Sequence, residues 1–184
     1  MDKLIDFFSA VEKLKRVKRT GWVREGVPDA ESVADHSFGT AFLSVLLADK
    51  LKVPDKEKLI KMALIHDLAE AEASDIVTVR GIKKVSSEKD KFEKEKKAMT
   101  KLFANIDKKE EFINTWLEYE SQVTAEAKIV KQLDKLEMAF QALEYENDID
   151  PSKLDEFFIN TKINLKEPFL IELFNELEKR RKKK

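Results

Sequence analysis

Cysteine is absent from the 184 residues, so neither a disulfide framework nor a thiolate zinc site can form, and any metal must be held by nitrogen and oxygen. That is compatible with a reducing cytoplasm, where we expect the protein. Long apolar runs are missing too. None approaches the ~20 residues that a membrane helix needs, so no membrane partner is expected. Neither sign of charge is in excess: 35 Lys and Arg face 36 Asp and Glu, which leaves no overall bias toward nucleic acid or an anionic surface. Only the last residues, EKRRKKK, are basic, and they read as a solvated helix end whose cations complement the helix dipole, not as a nucleic-acid contact. Glycine and proline, four of each, leave little loop punctuation. Imidazole is scarcer still, with two copies, His36 and His66.

What is present is charge and helical periodicity. The charged fraction of 39% is well above the usual ~25%, and Lys/Glu richness without cysteine is a mild thermophile signature. The length suits one domain, 1–184, with a core large enough to need no staples. The pattern predicts an all-α bundle of about seven to eight helices. Leu4, Phe7, Phe8, Val11 and Leu14 mark the first helix, and RTGWVREGVPDAES reads as a loop. A helix over roughly 33–50 follows, capped by Ser32 or Asp29. A third opens at Pro54-Asp55 and runs through LIKMALIHDLAEAEA. The stretch SDIVTVRGIKKVS is the least helical part. Helices are predicted from Ser86 or Ser87, near EEFINTWLEYE and from Val123 to about Glu146, with two short ones after Asp150-Pro151.

Both histidines fall on the apolar side of predicted helices. His36 shares a face with Thr40, Leu43 and Leu47; His66 stacks on Ala63, Leu59 and Glu70, and Asp67 adjoins that face. A buried carboxylate without a partner is costly, and an ion held by both imidazoles and Asp67 removes that cost. Asp134, beside Val130 and Leu133 on an otherwise apolar stripe, is the candidate fourth ligand. Such a site leaves open positions for water, which the ion acidifies toward neutrality. Spacing alone equally admits two hydrogen-bonded core histidines and an acid at the edge of a stripe. Glu70 and Asp75 stand nearby, either as acid–base groups or second-ion ligands, or as a surface acid and a turn residue. Arg19 could fork onto a phosphate and Trp22 could wall a sugar pocket. Alternatively, Trp22 anchors its loop on the core and Arg19 is solvated.

Taken together, KRTGWVREGVPDAESVADHSFGTAFL, HDLAEAEASDI and QLDKLEMAFQALEYE resemble the HD-domain superfamily of metal-dependent phosphohydrolases, and within it the 5′-deoxynucleotidase branch. The resemblance runs from about Phe7 to Glu146; the C-terminal helices, 151–184, carry no motif. It implies that His36, His66, Asp67 and Asp134 bind a divalent ion (Mn, Co, Ni, Fe, Zn or Mg). It implies that Glu70 and Asp75 are catalytic or hold a second ion with the Ile76 carbonyl. It further implies that Arg19 contacts the phosphate and that Trp22 sits against the sugar and disfavours a 2′-hydroxyl. The implied reaction is hydrolysis of deoxyribonucleoside 5′-monophosphates, a small-molecule substrate, by a homodimer. Ser74 departs from the glycine that many relatives carry before the equivalent of Asp75. Two other readings remain open at this point: a phosphohydrolase of cyclic or polyphosphorylated nucleotides, and a helical scaffold with a structural metal.

Overall fold

The computed structural model describes residues 1–73, 79–80, 83–84 and 87–181. Its α-helices are α1 (Asp2–Lys13), α2 (Thr20–Glu25), α3 (Val33–Leu47), α4 (Lys56–Ile65), α5 (Glu70–Ala73), α6 (Glu88–Phe103), α7 (Lys109–Ser121), α8 (Ala125–Tyr145), α9 (Asp155–Asn164) and α10 (Pro168–Arg181). Eight of these described helices have seven residues or more, so the chain is all-α as its periodicity predicts. The exception is a two-residue antiparallel ladder, Val79–Arg80 against Lys83–Lys84. Among the described residues no helix is long and apolar enough to cross a membrane.

Side-chain caps fix the starts of four of the helices. Ser32 and Asp35 form a reciprocal capping box at α3, and Asp55, Ser87 and Thr124 accept from the first-turn amides of α4, α6 and α8. Pro151 opens a 3-10 turn, where its missing N–H costs nothing.

Three predicted boundaries are corrected. The segment read as a loop contains α2, which ends at Gly26 in the left-handed conformation (φ 84°) that glycine adopts without strain. Helix α3 stops at Leu47, not near Lys50. The third helix does not run through HDLAEAEA: α4 ends at Ile65, His66 is its C-cap, and a turn precedes α5.

Helix α8 is the axis of the fold. It packs on α3, α4, α7, α9 and α10, and Val130, Leu133, Leu136, Ala139 and Ala142 are fully enclosed along it. Truncating Leu133 or Leu136 to alanine would cost about 2–5 kcal/mol. A short extended pairing, with Val33 N–H donating to Val17 O (2.8 Å) and Arg19 N–H to Glu31 O (3.1 Å), ties the start of α2 to the start of α3. That pairing carries Arg19 and Trp22 toward the polar residues that α3 and α8 bury.

Candidate metal centre

Three segments, α3, the end of α4 with its turn, and α8, bring the predicted ligands together. His36 sits in the second turn of α3 and is fully buried; Asp134 sits midway along α8, facing it. His36 Nε2 lies 3.2 Å from Asp134 Oδ1 and 3.8 Å from Asp67 Oδ2. His66 Nε2 lies 3.4 Å from Asp67 Oδ2. The end of α4 is what aims these groups. Because the helix stops, His66 can donate its Nδ1–H to Ala63 O (2.7 Å), which leaves Nε2 as the lone-pair nitrogen.

Donor atoms of His36, His66 and Asp67 all lie within 4.8 Å of one another, so one ion can touch all three. Both Nε2 atoms are buried without a hydrogen-bond partner, an expensive arrangement unless something electrophilic sits between them. Asp134 is asymmetric in the same sense. Its Oδ2 accepts from Tyr119 OH (3.2 Å) and faces Lys135 Nζ (3.1 Å), while Oδ1 turns to His36. Neutral imidazole nitrogens and carboxylates with ordered outer partners are a fitting donor set for a divalent ion.

A model of the HD domain matches residues 11–177. The chain belongs to the HD-domain family. Among curated relatives, the protein named 5′-deoxynucleotidase HDDC2 from Danio rerio is 39% identical over 98% of this chain and 89% of its own length. Among solved structures, a conserved hypothetical protein from Pyrococcus furiosus is 38% identical, covers 95% of this chain and 99% of its own, and superposes with a TM-score of 0.76. A protein from Magnetospirillum magnetotacticum described as a predicted metal-dependent phosphohydrolase is 25% identical over 99% of this chain and 92% of its own, with a TM-score of 0.72.

The electrostatics of this HD-domain protein favour positive charge at the centre. Burial and the Arg19 cation oppose protonation of His36, yet Glu137 and Asp134 outweigh them and push its pKa up to about 10. Burial keeps the His66 imidazole below its ordinary value. Burial works against ionised Asp67 and Asp134 as well, but His66 and Arg19 hold the first below the usual carboxylate range, and Lys135 and His36 hold the second there.

The centre opens on a cleft of about 650 Å³, lined in part by Arg19, Trp22, Asp67, Glu70, Asp134 and Phe157, large enough for a nucleotide. Arg19 Nη1 donates to Asp67 Oδ2 (2.9 Å), so its guanidinium is fixed at the centre. Glu70 is buried at the cleft wall with Lys91 Nζ 4.0 Å away, which sets aside the reading of it as a surface acid. Trp22 lines the cleft and is also core: it stacks on Phe157 (3.9 Å between centroids) and donates its indole N–H to Glu31 Oε1 (2.8 Å). Ser74, Asp75, Ile76 and the lysines after Arg181 lie outside the described residues.

Sequence reasoning missed Tyr119, Lys135, Glu137 and Glu31, all of which touch a ligand or a ligand's partner. Glu137 had a readable signal. It stands three residues after Asp134, hence on the same apolar stripe. Glu31 and Tyr119 carried none.

Proposed function

We propose that this HD-domain protein hydrolyses deoxyribonucleoside 5′-monophosphates to deoxynucleoside and phosphate, with a divalent ion held by His36, His66, Asp67 and Asp134. The observation that carries the reading is a buried cluster of His36, His66 and Asp67, with Asp134 3.2 Å from His36 Nε2, that opens beside Arg19 on a nucleotide-sized cleft. Near-full-length relatives named 5′-deoxynucleotidase support the substrate class.

When bound, the ion supplies Lewis-acid polarisation of the phosphoryl oxygens and a water acidified toward neutrality. The protein's own residues do the rest. Arg19 Nη1 donates to Asp67 Oδ2, which holds the guanidinium at the centre, where its cation would face the phosphate and balance charge that develops on it. Glu70 stands ready to hold or relay the proton that the leaving 5′-oxygen needs, because a deoxynucleoside alkoxide is a poor leaving group. Asp75 shares that duty or, with Glu70 and the Ile76 carbonyl, holds a second ion. Trp22, packed between Phe157 and Tyr145 and lining the cleft, is the residue that would meet the sugar and disfavour a 2′-hydroxyl.

Residues 1–184 are taken as one domain, since α9 and α10 pack on the helix that bears Asp134. The protein acts as a homodimer. The support is the outer side of α3, which leaves the apolar Phe38, Phe42, Val45 and Leu46 more than half exposed while its other side is buried in the bundle.

Phosphate release from a panel of deoxy- and ribonucleoside 5′-monophosphates, cyclic dinucleotides and triphosphates, with Mn²⁺ or Co²⁺ added, tests the reading. Turnover of the deoxy-monophosphates in preference to all others is expected. Inert monophosphates beside a cleaved cyclic or polyphosphorylated nucleotide would overturn the substrate class, and no turnover of any would favour a structural metal.

A further inference from the structure

Behind the metal centre, on the side away from the cleft, His36 meets a second acid. Its Nδ1 is 2.5 Å from Glu137 Oε2, and both side chains are buried. A carboxylate oxygen accepts, so Nδ1 must donate, and Nε2, which faces Asp67 and Asp134, is the nitrogen that carries the ring's second proton without an ion and would yield it for an ion. Three features hold Glu137 in place. It lies one helical turn beyond Asp134 on α8, so a single rigid element sets both acids against His36. Gly39 of α3 lies flat against it: a Cβ there would come within 2.9 Å of its Cγ. Glu31 sits close enough for carboxylate oxygens of Glu31 and Glu137 and a His36 nitrogen to fall within 4.8 Å of one another. Glu31 is itself fixed, by the Trp22 indole N–H on its side chain and by its own N–H donated to Tyr145 OH (2.7 Å).

The trio of Glu31, His36 and Glu137 has the composition of a metal site but not its spacing. At 2.5 Å, His36 Nδ1 and Glu137 Oε2 are at hydrogen-bond distance, with no room for an ion between them. The contact orients the ring. His66 shows the contrast: its Nδ1–H is fixed by the neutral carbonyl of Ala63, whereas His36 has an anionic acceptor that makes its Nε2 the more basic donor.

We propose that Glu137 is a positioning residue of the metal centre, fixing the tautomer and ring orientation of His36 so that Nε2 is presented to the ion, with Glu31 and Trp22 as its backing. The inference rests on the reading of His36 as a metal ligand. It assigns to the two imidazoles unequal roles: His36 is the stronger ligand and depends on a carboxylate that never meets the ion or the substrate.

Because the protein has two histidines, ring-¹⁵N spectra resolve each imidazole separately. The Zn²⁺-loaded wild type, Glu137→Ala and Glu137→Gln are compared by these spectra and by Zn²⁺ titration of the apo forms. The wild type should show both rings as Nδ1–H with Nε2 bound. Glu137→Ala should shift or exchange-broaden the His36 Nδ1–H, leave the His66 ring unchanged and weaken Zn²⁺ binding roughly 10–100-fold. Glu137→Gln keeps size and one acceptor. It should fold as the wild type does and show a smaller loss with the same His36-selective change, so it decides the matter if the alanine variant is unfolded. Unchanged His36 signals with affinity within about twofold of wild type would overturn the inference, as would equal changes in both rings. If Zn²⁺ moves neither ring in the wild type, the metal-site reading itself fails and this inference falls with it.

Discussion

Asp134→Asn separates the two duties of the hub carboxylate. Asp134 is about 5% exposed, with His36 Nε2 at 3.2 Å on one oxygen and Lys135 Nζ and Tyr119 OH at 3.1 and 3.2 Å on the other. Asparagine matches the shape and can still accept from Tyr119, but it leaves Lys135 without its closest counter-charge. Breaking a buried pair from one side costs about 3–5 kcal/mol. The Lys135 side chain keeps 19% of its exposure, so its ammonium can recover some hydration, and the low end applies. At about 3 kcal/mol, and about 2–4 °C per kcal/mol for a chain of this size, the apo variant should melt roughly 6–12 °C below wild type. The second duty appears when ion is added. An ion at 100 times its Kd should stabilise wild type by about 2.7 kcal/mol, or roughly 5–11 °C, by mass action. The variant should gain little at the same concentration, having lost one of four donors. Differential scanning calorimetry of both proteins, with chelator and with Mn²⁺, reads both effects. A variant that melts with wild type and keeps the full Mn²⁺ increment would refute the reasoning, for Asp134 would then be neither counter-ion nor ligand.

Glu70→Ala should abolish phosphate release while the protein still binds one ion by titration; unchanged turnover would remove Glu70 from the chemistry. Arg19→Ala should lower kcat/KM for a deoxynucleoside monophosphate by roughly 10–100-fold, the worth of a charge-assisted contact, with metal content checked because Arg19 also braces Asp67. Undiminished kcat/KM would refute that. Glu95 supplies a pH signature. Burial, aided by Asp67 and Glu120 against Lys91, pushes its pKa from 4.5 up to about 7. The folded state therefore binds this proton more tightly than the unfolded chain. The stability it contributes is complete below about pH 4.5 and is lost as pH rises through about 7. In urea unfolding with chelator present, Glu95→Gln should flatten that fall by at most about 3 kcal/mol; a pH profile parallel to wild type would contradict it. Phe42→Asp on the exposed side of α3 should convert a dimer to a monomer by light scattering, and a monomeric wild type would sink the proposed interface.

How much of this could be read from the chain depends on where each signal resides. Asp134 was legible because an acid on an apolar helical stripe has to be accounted for, and α8 is a long, regular helix with that stripe in the core. His36 was legible for the same reason on α3. His66 and Asp67 do come together with His36, but their local structure is not the predicted one. No glycine or proline marks the end of α4, and α5 resumes after a short turn, so the apolar period runs through a break that it cannot register. That break has a purpose: it frees the Ala63 carbonyl to take the His66 Nδ1–H and turns Asp67 back toward both rings. Six-residue α2 was hidden because it is shorter than any window in which periodicity can be counted. Glu31 and Tyr119 act through partners on other segments, and such pairings appear only once helices pack. The core helix of this fold thus buries Asp134 and Glu137 three residues apart, matched to Tyr119 and His36 from other segments, while the partly exposed Lys135 pairs with Asp134 on the same helix. Helix α8 is therefore both the hydrophobic axis and the scaffold of the candidate metal centre, and on the proposed reading substitutions along it should uncouple stability from ion binding only where, as at Glu137, the side chain touches a proposed ligand without being one.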